Sequence, residues 1–322
     1  MALRNRAVLR ISGFVGVAVL LVGLLYLPTA RAETVRNASH LVPTGKGWGE
    51  EQSNSPFAVV TGDGINYHGG PIMPGTVNVY FIWYGNWSSG PKLSDSVTTV
   101  NLLSALFGST GLNGSPYEMI NSTYGDTVNN VTGNIVLAGS TTDSYSQGKR
   151  ISDSKVQAIV SRAISNRSLP SDATGIYFVL TSSDVAETSG FCTRYCGWHT
   201  RATLNNTDIK YSFVGNPDRC PSACEWQTNS PNGDSGADGM ASIMAHESEE
   251  AISDPDLNAW YDSNGQENAD KCAWKFGPTL KTSTGALYNQ TLVGHNWLIQ
   301  MNWENNRGGG CDQEIGGTFY SN

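Results

Sequence analysis

The spacing of apolar residues after position 70 predicts a sheet whose strands alternate with helices. Residues 76–84 (TVNVYFIWY) are mostly β-branched or aromatic on both faces, which is typical of a strand buried on both sides. Residues 153–165 place apolar side chains three and four positions apart, as an amphipathic helix does. The predicted strands are 76–84, 134–138, 175–181 and 209–214, and the predicted helices are 94–107, 153–165 and 238–253. This alternation predicts an α/β (α+β) fold, a mixed twisted sheet with covering helices.

The N-terminal segment has the pattern of a secretory signal peptide. Three arginines precede an apolar run over residues 11–27, and Ala30-Arg31-Ala32 follows as a small-x-small cleavage site. Residues 1–32 are therefore predicted to be removed during export, leaving a protein with no membrane segment. The mature chain is predicted to comprise a polar lead-in, residues 33–70, and a single globular domain, residues 71–322.

The balance of charge argues against a nucleic-acid partner. The whole chain has 20 Lys and Arg against 28 Asp and Glu, a net charge of −8. Cleavage after Ala32 would remove four of the arginines, so the mature chain would carry 16 basic and 28 acidic residues, a net charge of −12. Proteins that bind nucleic acid neutralise phosphates with clustered basic residues. The predicted partner is instead an extracellular peptide or a cell-wall polymer.

The cysteines predict a disulfide-stapled fold. Six cysteines in an exported chain indicate three disulfides. Cys272–Cys311 is the predicted long-range bridge. The pairing of the other four stays open, and a four-cysteine zinc site is the alternative for them. These four residues are Cys192, Cys196, Cys220 and Cys224.

The segment His246-Glu247-Ser248-Glu249-Glu250 is the strongest chemical signal in the chain. It lies in the predicted helix that Asp238 would cap and Pro255 would end. Residues four apart share a helix face, so His246 and Glu250 can bind one metal ion together. Glu247 follows His246 directly, where peptidases with an H-E-x-x-H helix keep their general base. The alternative interpretation is an acidic helix face exposed to water.

A third metal ligand is expected from residues outside this helix. Glu267 is the first choice, because Asn264-Gly265 predicts a hairpin turn that would place Asp262 opposite Glu267, with a cation between the two carboxylates. Asp270 is an alternative, although a regular strand would turn it to the opposite face. His199 is the other alternative, because a disulfide at Cys196 would hold it in place. Zinc accepts both imidazole and carboxylate ligands, so it is the predicted cofactor.

Several motifs resemble those of one family of secreted proteins, the EXORDIUM or phosphate-induced protein 1 family. The likeness runs from Tyr67 to Cys311. It rests on Tyr67–Ile72, Val77–Gly85, Phe191–Cys192, Cys196–His199, Cys220–Pro221, Cys224, Pro231–Asp234, Asp238–Met240, Ala245–Glu247, Glu250–Ala251, Pro255, Asn258–Tyr261, Glu267, Asp270 and Cys272. The chain departs from the family pattern at Ser248 and Glu249. The resemblance implies an extracellular protein of the cell wall, linked to plant growth and brassinosteroid-responsive cell expansion.

Two functions are consistent with these features. In the first, the protein has a zincin-like fold and is a hydrolase in which His246, Glu250 and a third residue bind zinc and Glu247 activates water for peptide cleavage. In the second, it is a non-catalytic extracellular module that binds cell-wall polymer or takes part in growth signalling, with a structural metal or none. A catalytic zinc site keeps one coordination position open to water, whereas a structural site is closed.

Overall fold

The computed structural model describes residues 64–320. The predicted signal peptide, residues 1–32, and most of the predicted lead-in, residues 33–70, lie outside these described residues. No helix within residues 64–320 combines the length and the apolar character needed to cross a bilayer.

The described chain contains fifteen strands, four α-helices and three 3-10 helices. The strands are β1 Asn66–Tyr67, β2 Gly75–Tyr84, β3 Val131–Asp143, β4 Arg150–Ile151, β5 Gly175–Thr181, β6 Ala186–Glu187, β7 Gly197–Leu204, β8 Thr207–Gly215, β9 Trp260–Tyr261, β10 Leu280–Lys281, β11 Leu287–Tyr288, β12 Gln290–Leu292, β13 His295–Trp297, β14 Asn302–Glu304 and β15 Gly310–Asp312. The helices are α1 Val97–Leu106, α2 Asp153–Ser165, α3 Pro221–Cys224 and α4 Ser235–Ser253, with 3-10 helices at Glu118–Thr123, Pro217–Arg219 and Asp270–Cys272.

A five-stranded mixed sheet forms the centre of the fold. Its order is β3-β2-β5-β8-β7, with parallel pairing between all neighbours except β7, which runs antiparallel to β8 at one edge. β5 is buried along its whole length, and β2 is buried over most of its length, which agrees with their continuous apolar sequences. The predicted mixed sheet with helices is confirmed. The limits of α2 and β5 are those that the sequence predicted.

The edge strand β7 was not predicted. Its outer half alternates between half-buried and exposed polar residues, so its apolar signal is weak. The turn Asn205-Asn206 joins it to β8, and both residues have positive φ, 50° and 65°. Positive φ at both central residues is the conformation of a tight I′ hairpin, which asparagine tolerates well. This turn therefore fixes the register that brings β7 beside α4.

Helix α4 lies in the interior of the molecule. Every residue from Met240 to Ser253 is buried, so the interpretation of an acidic face in water is wrong. The helix starts three residues before the predicted cap, because the side chain of Asp234 accepts a hydrogen bond from the Ala237 amide at 3.1 Å. It ends at Ser253, as Pro255 predicted. Helix α4 packs against β7, β8 and α1.

The predicted hairpin at Asn264-Gly265 is wrong. β9 pairs instead with β1, at the other end of the described chain. Residues 262–266 form a loop, which is closed by a hydrogen bond from the Asp262 amide to the Gln266 carbonyl at 2.9 Å. Lys271 lies 3.0 Å from the Asp262 carboxylate and neutralises it. Asp262 therefore does not share a cation with Glu267.

Three disulfides connect the segments around α4. Cys272–Cys311 forms as predicted. The remaining pairs are Cys192–Cys220 and Cys196–Cys224, which excludes a four-cysteine zinc site. The Cys196–Cys224 bridge ties the start of β7 to α3, shortly before α4 begins.

Candidate metal centre

Helix α4 supplies two adjacent donors at one helical turn. His246 Nε2 lies 2.8 Å from Glu250 Oε1, and neither side chain has any exposed surface. This is the i, i+4 pair expected from the sequence. Glu247 is also fully buried, and neither of its carboxylate oxygens makes a hydrogen bond within the described chain.

Strand β7 brings His199 to the same carboxylates. Its Nδ1 lies 3.5 Å from Glu247 Oε2 and 3.5 Å from Glu250 Oε2. Gly197 makes this approach possible, since a Cβ there would come within 2.7 Å of the Ile243 side chain and 3.1 Å of Glu247 Oε1. The absence of a side chain at Gly197 thus lets α4 lie directly against the strand.

The segment after α4 supplies two further carboxylates. Asp270 Oδ1 lies 3.6 Å from His246 Nε2, and the Asp270 amide donates a hydrogen bond to Glu250 Oε1 at 2.9 Å. Glu267 Oε1 instead lies 3.5 Å from His199 Nε2, on the far side of the imidazole ring. Glu267 precedes the 3-10 helix Asp270–Cys272, and Asp270 begins it. Both residues therefore lie on a turn and not on a regular strand, so both side chains reach the centre.

The donors form two groups that share Glu250. His246, Glu250 and Asp270 make one group, and His199, Glu247 and Glu250 make the other. Within each group one donor atom from every residue lies within 4.8 Å of the others. Imidazole nitrogen and carboxylate oxygen are the donors that zinc takes alongside thiolate. The residues present therefore suit a divalent cation in either group.

Opposing effects set the protonation of the two histidines. Burial works to lower the pKa of His199, but the charges of Glu267, Glu247 and Glu250 outweigh it and raise that pKa well above its usual value. Burial likewise opposes the charge on His246, yet Glu250 and Asp270 raise the pKa of His246 to about 10. Both histidines are strongly attracted to a positive charge, whether a proton or a metal ion.

The carboxylates respond to their positions between these histidines. Burial raises the pKa of Glu247 to about 7, partly offset by His199. Burial alone would raise the pKa of Glu250, but His246 and His199 hold the pKa of its carboxyl at about 2. Burial and the neighbouring Glu250 charge raise the pKa of Asp270 to about 6. Of these three carboxyl groups, Glu250 is the one held most firmly in its charged form.

A second buried carboxyl pair lies near another part of α4 and had no signal in the sequence. Glu118, from the 3-10 helix Glu118–Thr123, and Glu249 are both fully buried and close enough to shift each other's pKa. The Asn302 amide donates to Glu249 Oε2. These residues are far apart in sequence, so only the folded chain brings them together.

Comparison with known proteins places the chain in a family. A family model described as the phosphate-induced protein 1 conserved region matches residues 65–311. Protein EXORDIUM-like 3 of Arabidopsis thaliana is 32% identical over 272 residues, covering 74% of this chain and 80% of that protein. Protein EXORDIUM-like 5 of the same plant is 30% identical, with coverage of 75% and 76%. Protein PHOSPHATE-INDUCED 1 of Nicotiana tabacum is 25% identical, with coverage of 70% and 80%. No solved structure matches the chain significantly. The chain belongs to the phosphate-induced protein 1 family.

Proposed function

We propose that this member of the phosphate-induced protein 1 family is an exported, zinc-dependent hydrolase of zincin type that cleaves extracellular peptides. The observation that carries the proposal is the group His246, Glu250 and Asp270, with the unbonded carboxylate of Glu247 beside it. Three protein donors with a neighbouring free carboxylate are what a catalytic zinc site requires, since the fourth position is left for substrate and water.

Each side chain of the centre has a distinct part in this reaction. Zinc, when bound, supplies a Lewis acid that polarises a carbonyl and makes water more acidic. The Asp270 amide holds Glu250 Oε1 in place. Glu247 takes a proton from the attacking water as the new C–O bond forms, and the proton passes to the leaving amine as the C–N bond breaks. Glu267 lies on the far side of His199 and is not needed as a ligand in this scheme.

The position of β7 supports a peptide as the substrate. β7 is an edge strand of the sheet and lies against the ligand helix α4. An extended peptide can align with a sheet edge through main-chain hydrogen bonds, while the side chains of the strand select among sequences. A peptide aligned on β7 would pass close to His199 and therefore to Glu247, which lies 3.5 Å from that histidine.

A non-catalytic extracellular module is the second candidate, and the burial of the centre favours it. His246, Glu247 and Glu250 have no exposed surface, and the Asp270 side chain is only 7% exposed. A closed site of this kind is typical of a structural metal that braces the fold. In that case the metal would stabilise a surface that binds cell-wall polymer or a growth-signalling partner.

Three variants, compared at one equivalent of zinc, separate these functions. His246→Ala should lose the cation and melt at a lower temperature, because metal binding to the folded state adds to its stability. Glu247→Gln should keep cation and fold but lose activity by about 100-fold or more, since glutamine cannot accept the proton. Ser248→Ala is the control, because within residues 64–320 its hydroxyl is bonded to the Ala245 carbonyl of the same helix, at 2.9 Å.

The measurements are metal content, melting temperature and cleavage of a broad peptide library. Wild-type protein that binds the cation but cleaves no peptide would favour the module. A folded wild-type protein that takes up no cation would overturn the metal centre in both functions.

A further inference from the structure

Three buried side chains in and beside the proposed zinc group have polar atoms without a hydrogen bond. Both ring nitrogens of His199, both carboxylate oxygens of Glu247 and Oε2 of Glu250 are buried and make no hydrogen bond within the described chain. His199 is 1% exposed and the two glutamates are fully buried. Buried polar atoms without partners are rare, because each forfeits its interaction with water. His199 Nδ1 and Oε2 of each glutamate face one another, an arrangement that suits a bound cation.

The spacing of these atoms matches a shared metal ion better than a direct hydrogen bond. His199 Nδ1 is 3.5 Å from each of the two glutamate oxygens. A charge-assisted hydrogen bond between such groups is about 2.8 Å long. Donors placed around one zinc ion at its usual bond lengths are about 3.4 Å apart.

The centre also has enough carboxyl groups to neutralise two divalent cations. Five carboxyl groups lie around His199 and His246, namely Glu247, Glu250, Asp254, Glu267 and Asp270. If all are ionised and both histidines are neutral, the formal charge is −5. One divalent cation leaves −3 and two leave −1. A second cation therefore removes most of the remaining repulsion in a region of low dielectric.

We propose that His199, Glu247 and Glu250 bind a second, regulatory divalent cation that stops hydrolysis by occupying the base. This inference rests on the proposed function, in which the first cation uses His246, Glu250 and Asp270. Glu250 bridges the two ions, with Oε1 facing His246 and Oε2 facing His199. When the second ion is bound, the lone pairs of Glu247 point at metal and can no longer accept a proton. The protein is then active at low zinc and silent at high zinc.

Zinc titration of the dialysed protein tests this inference. Wild type should take up two equivalents, with peptide cleavage rising during the first and falling during the second. His199→Asn should take up one equivalent and lose the inhibition by excess zinc. His295→Asn is the matched control, because His295 is exposed and its Nδ1 lies 3.2 Å from the Asn232 side chain, outside both groups of donors. It should behave like wild type.

A measurement on the wild-type protein tests the same inference even if a variant misfolds. Two Mn²⁺ ions bridged by one carboxylate are magnetically coupled, so manganese-loaded wild type should give a coupled electron paramagnetic resonance signal. One equivalent in both wild type and His199→Asn, with an uncoupled signal, would overturn the second site and leave the proposed function intact. A single equivalent that His199→Asn loses and His246→Ala keeps would overturn both, because the only cation would then lie at His199.

Discussion

At the scale of single residues, Glu250 organises the centre because its two oxygens serve different neighbours. Oε1 accepts a hydrogen bond from the Asp270 amide at 2.9 Å and lies 2.8 Å from His246 Nε2. Oε2 faces His199. A side chain held in this way on one oxygen presents the other in a fixed direction, which is how outer contacts orient a metal ligand.

The pair Glu118 and Glu249 gives a prediction on pH at the same scale. Burial raises the pKa of Glu118 to about 8 from a usual 4.5, so the folded protein holds a proton that the unfolded chain releases. More protons bound in the folded state means that the free energy of unfolding falls as pH rises from about 4.5 to 8. Glu118→Gln removes this ionisation while keeping the volume of the side chain. We expect the variant to be more stable than wild type at pH 8, by on the order of 1 kcal/mol or more, with little difference near pH 4.

Urea unfolding across this pH range measures the effect. Glu314→Gln replaces an exposed glutamate and serves as the control. Parallel pH profiles for Glu118→Gln and wild type would show that the buried carboxyl does not hold the extra proton.

At the scale of elements, the hairpin of β7 and β8 sets the position of His199. Asn206 has φ 65°, a left-handed conformation that residues with a Cβ adopt at a penalty of about 1–2 kcal/mol, reduced for asparagine. Asn206→Ala should therefore lower the free energy of unfolding by about 1 kcal/mol. Asn206→Gly should be neutral or stabilising, because glycine accepts this conformation. Thermal unfolding measures the stability of both variants. Equal losses of stability in Asn206→Ala and Asn206→Gly would show that the left-handed backbone conformation at Asn206 does not control the stability of the turn.

At the scale of the whole molecule, the disulfide Cys272–Cys311 ties the turn that carries Asp270 to the C-terminal segment. It closes a loop between residues 39 apart. Replacing both cysteines by serine should cost about 3–4 kcal/mol of stability in the chain-entropy model. It should also weaken binding of the first cation, because Asp270 lies two residues before Cys272.

Replacement of Cys192 and Cys220 is the matched control for this prediction. That bridge has a separation of 28 residues and is not attached to the Asp270 turn. We expect a comparable loss of stability with a smaller loss of affinity for zinc, measured by competition with a chelator. Equal losses of affinity in the two double variants would refute a specific role for the Cys272 bridge.

Some of this architecture was readable from local sequence. The limits of α2 and β5, the end of α4 before Pro255 and the i, i+4 pair His246 and Glu250 all follow from periodicity and backbone chemistry. Cys272–Cys311 followed from the number and spacing of the cysteines. The hairpin at Asn264-Gly265 was wrong because Asp262 caps its own loop and pairs with Lys271 instead of facing another strand.

The sequence by itself thus indicated four of the five strands of the central sheet, the helices α1, α2 and α4, and the family of the protein. Only the tertiary structure decided what meets α4: His199 from an edge strand, and Asp270 and Glu267 on opposite sides of the centre. It also decided that every residue from Met240 to Ser253 is buried. The physical reason is the distance along the sequence between the residues that interact. Helix and strand patterns reflect forces between residues a few positions apart, whereas the neighbours of Glu250 depend on sheet order and disulfide pairing, which join residues that are distant in the chain.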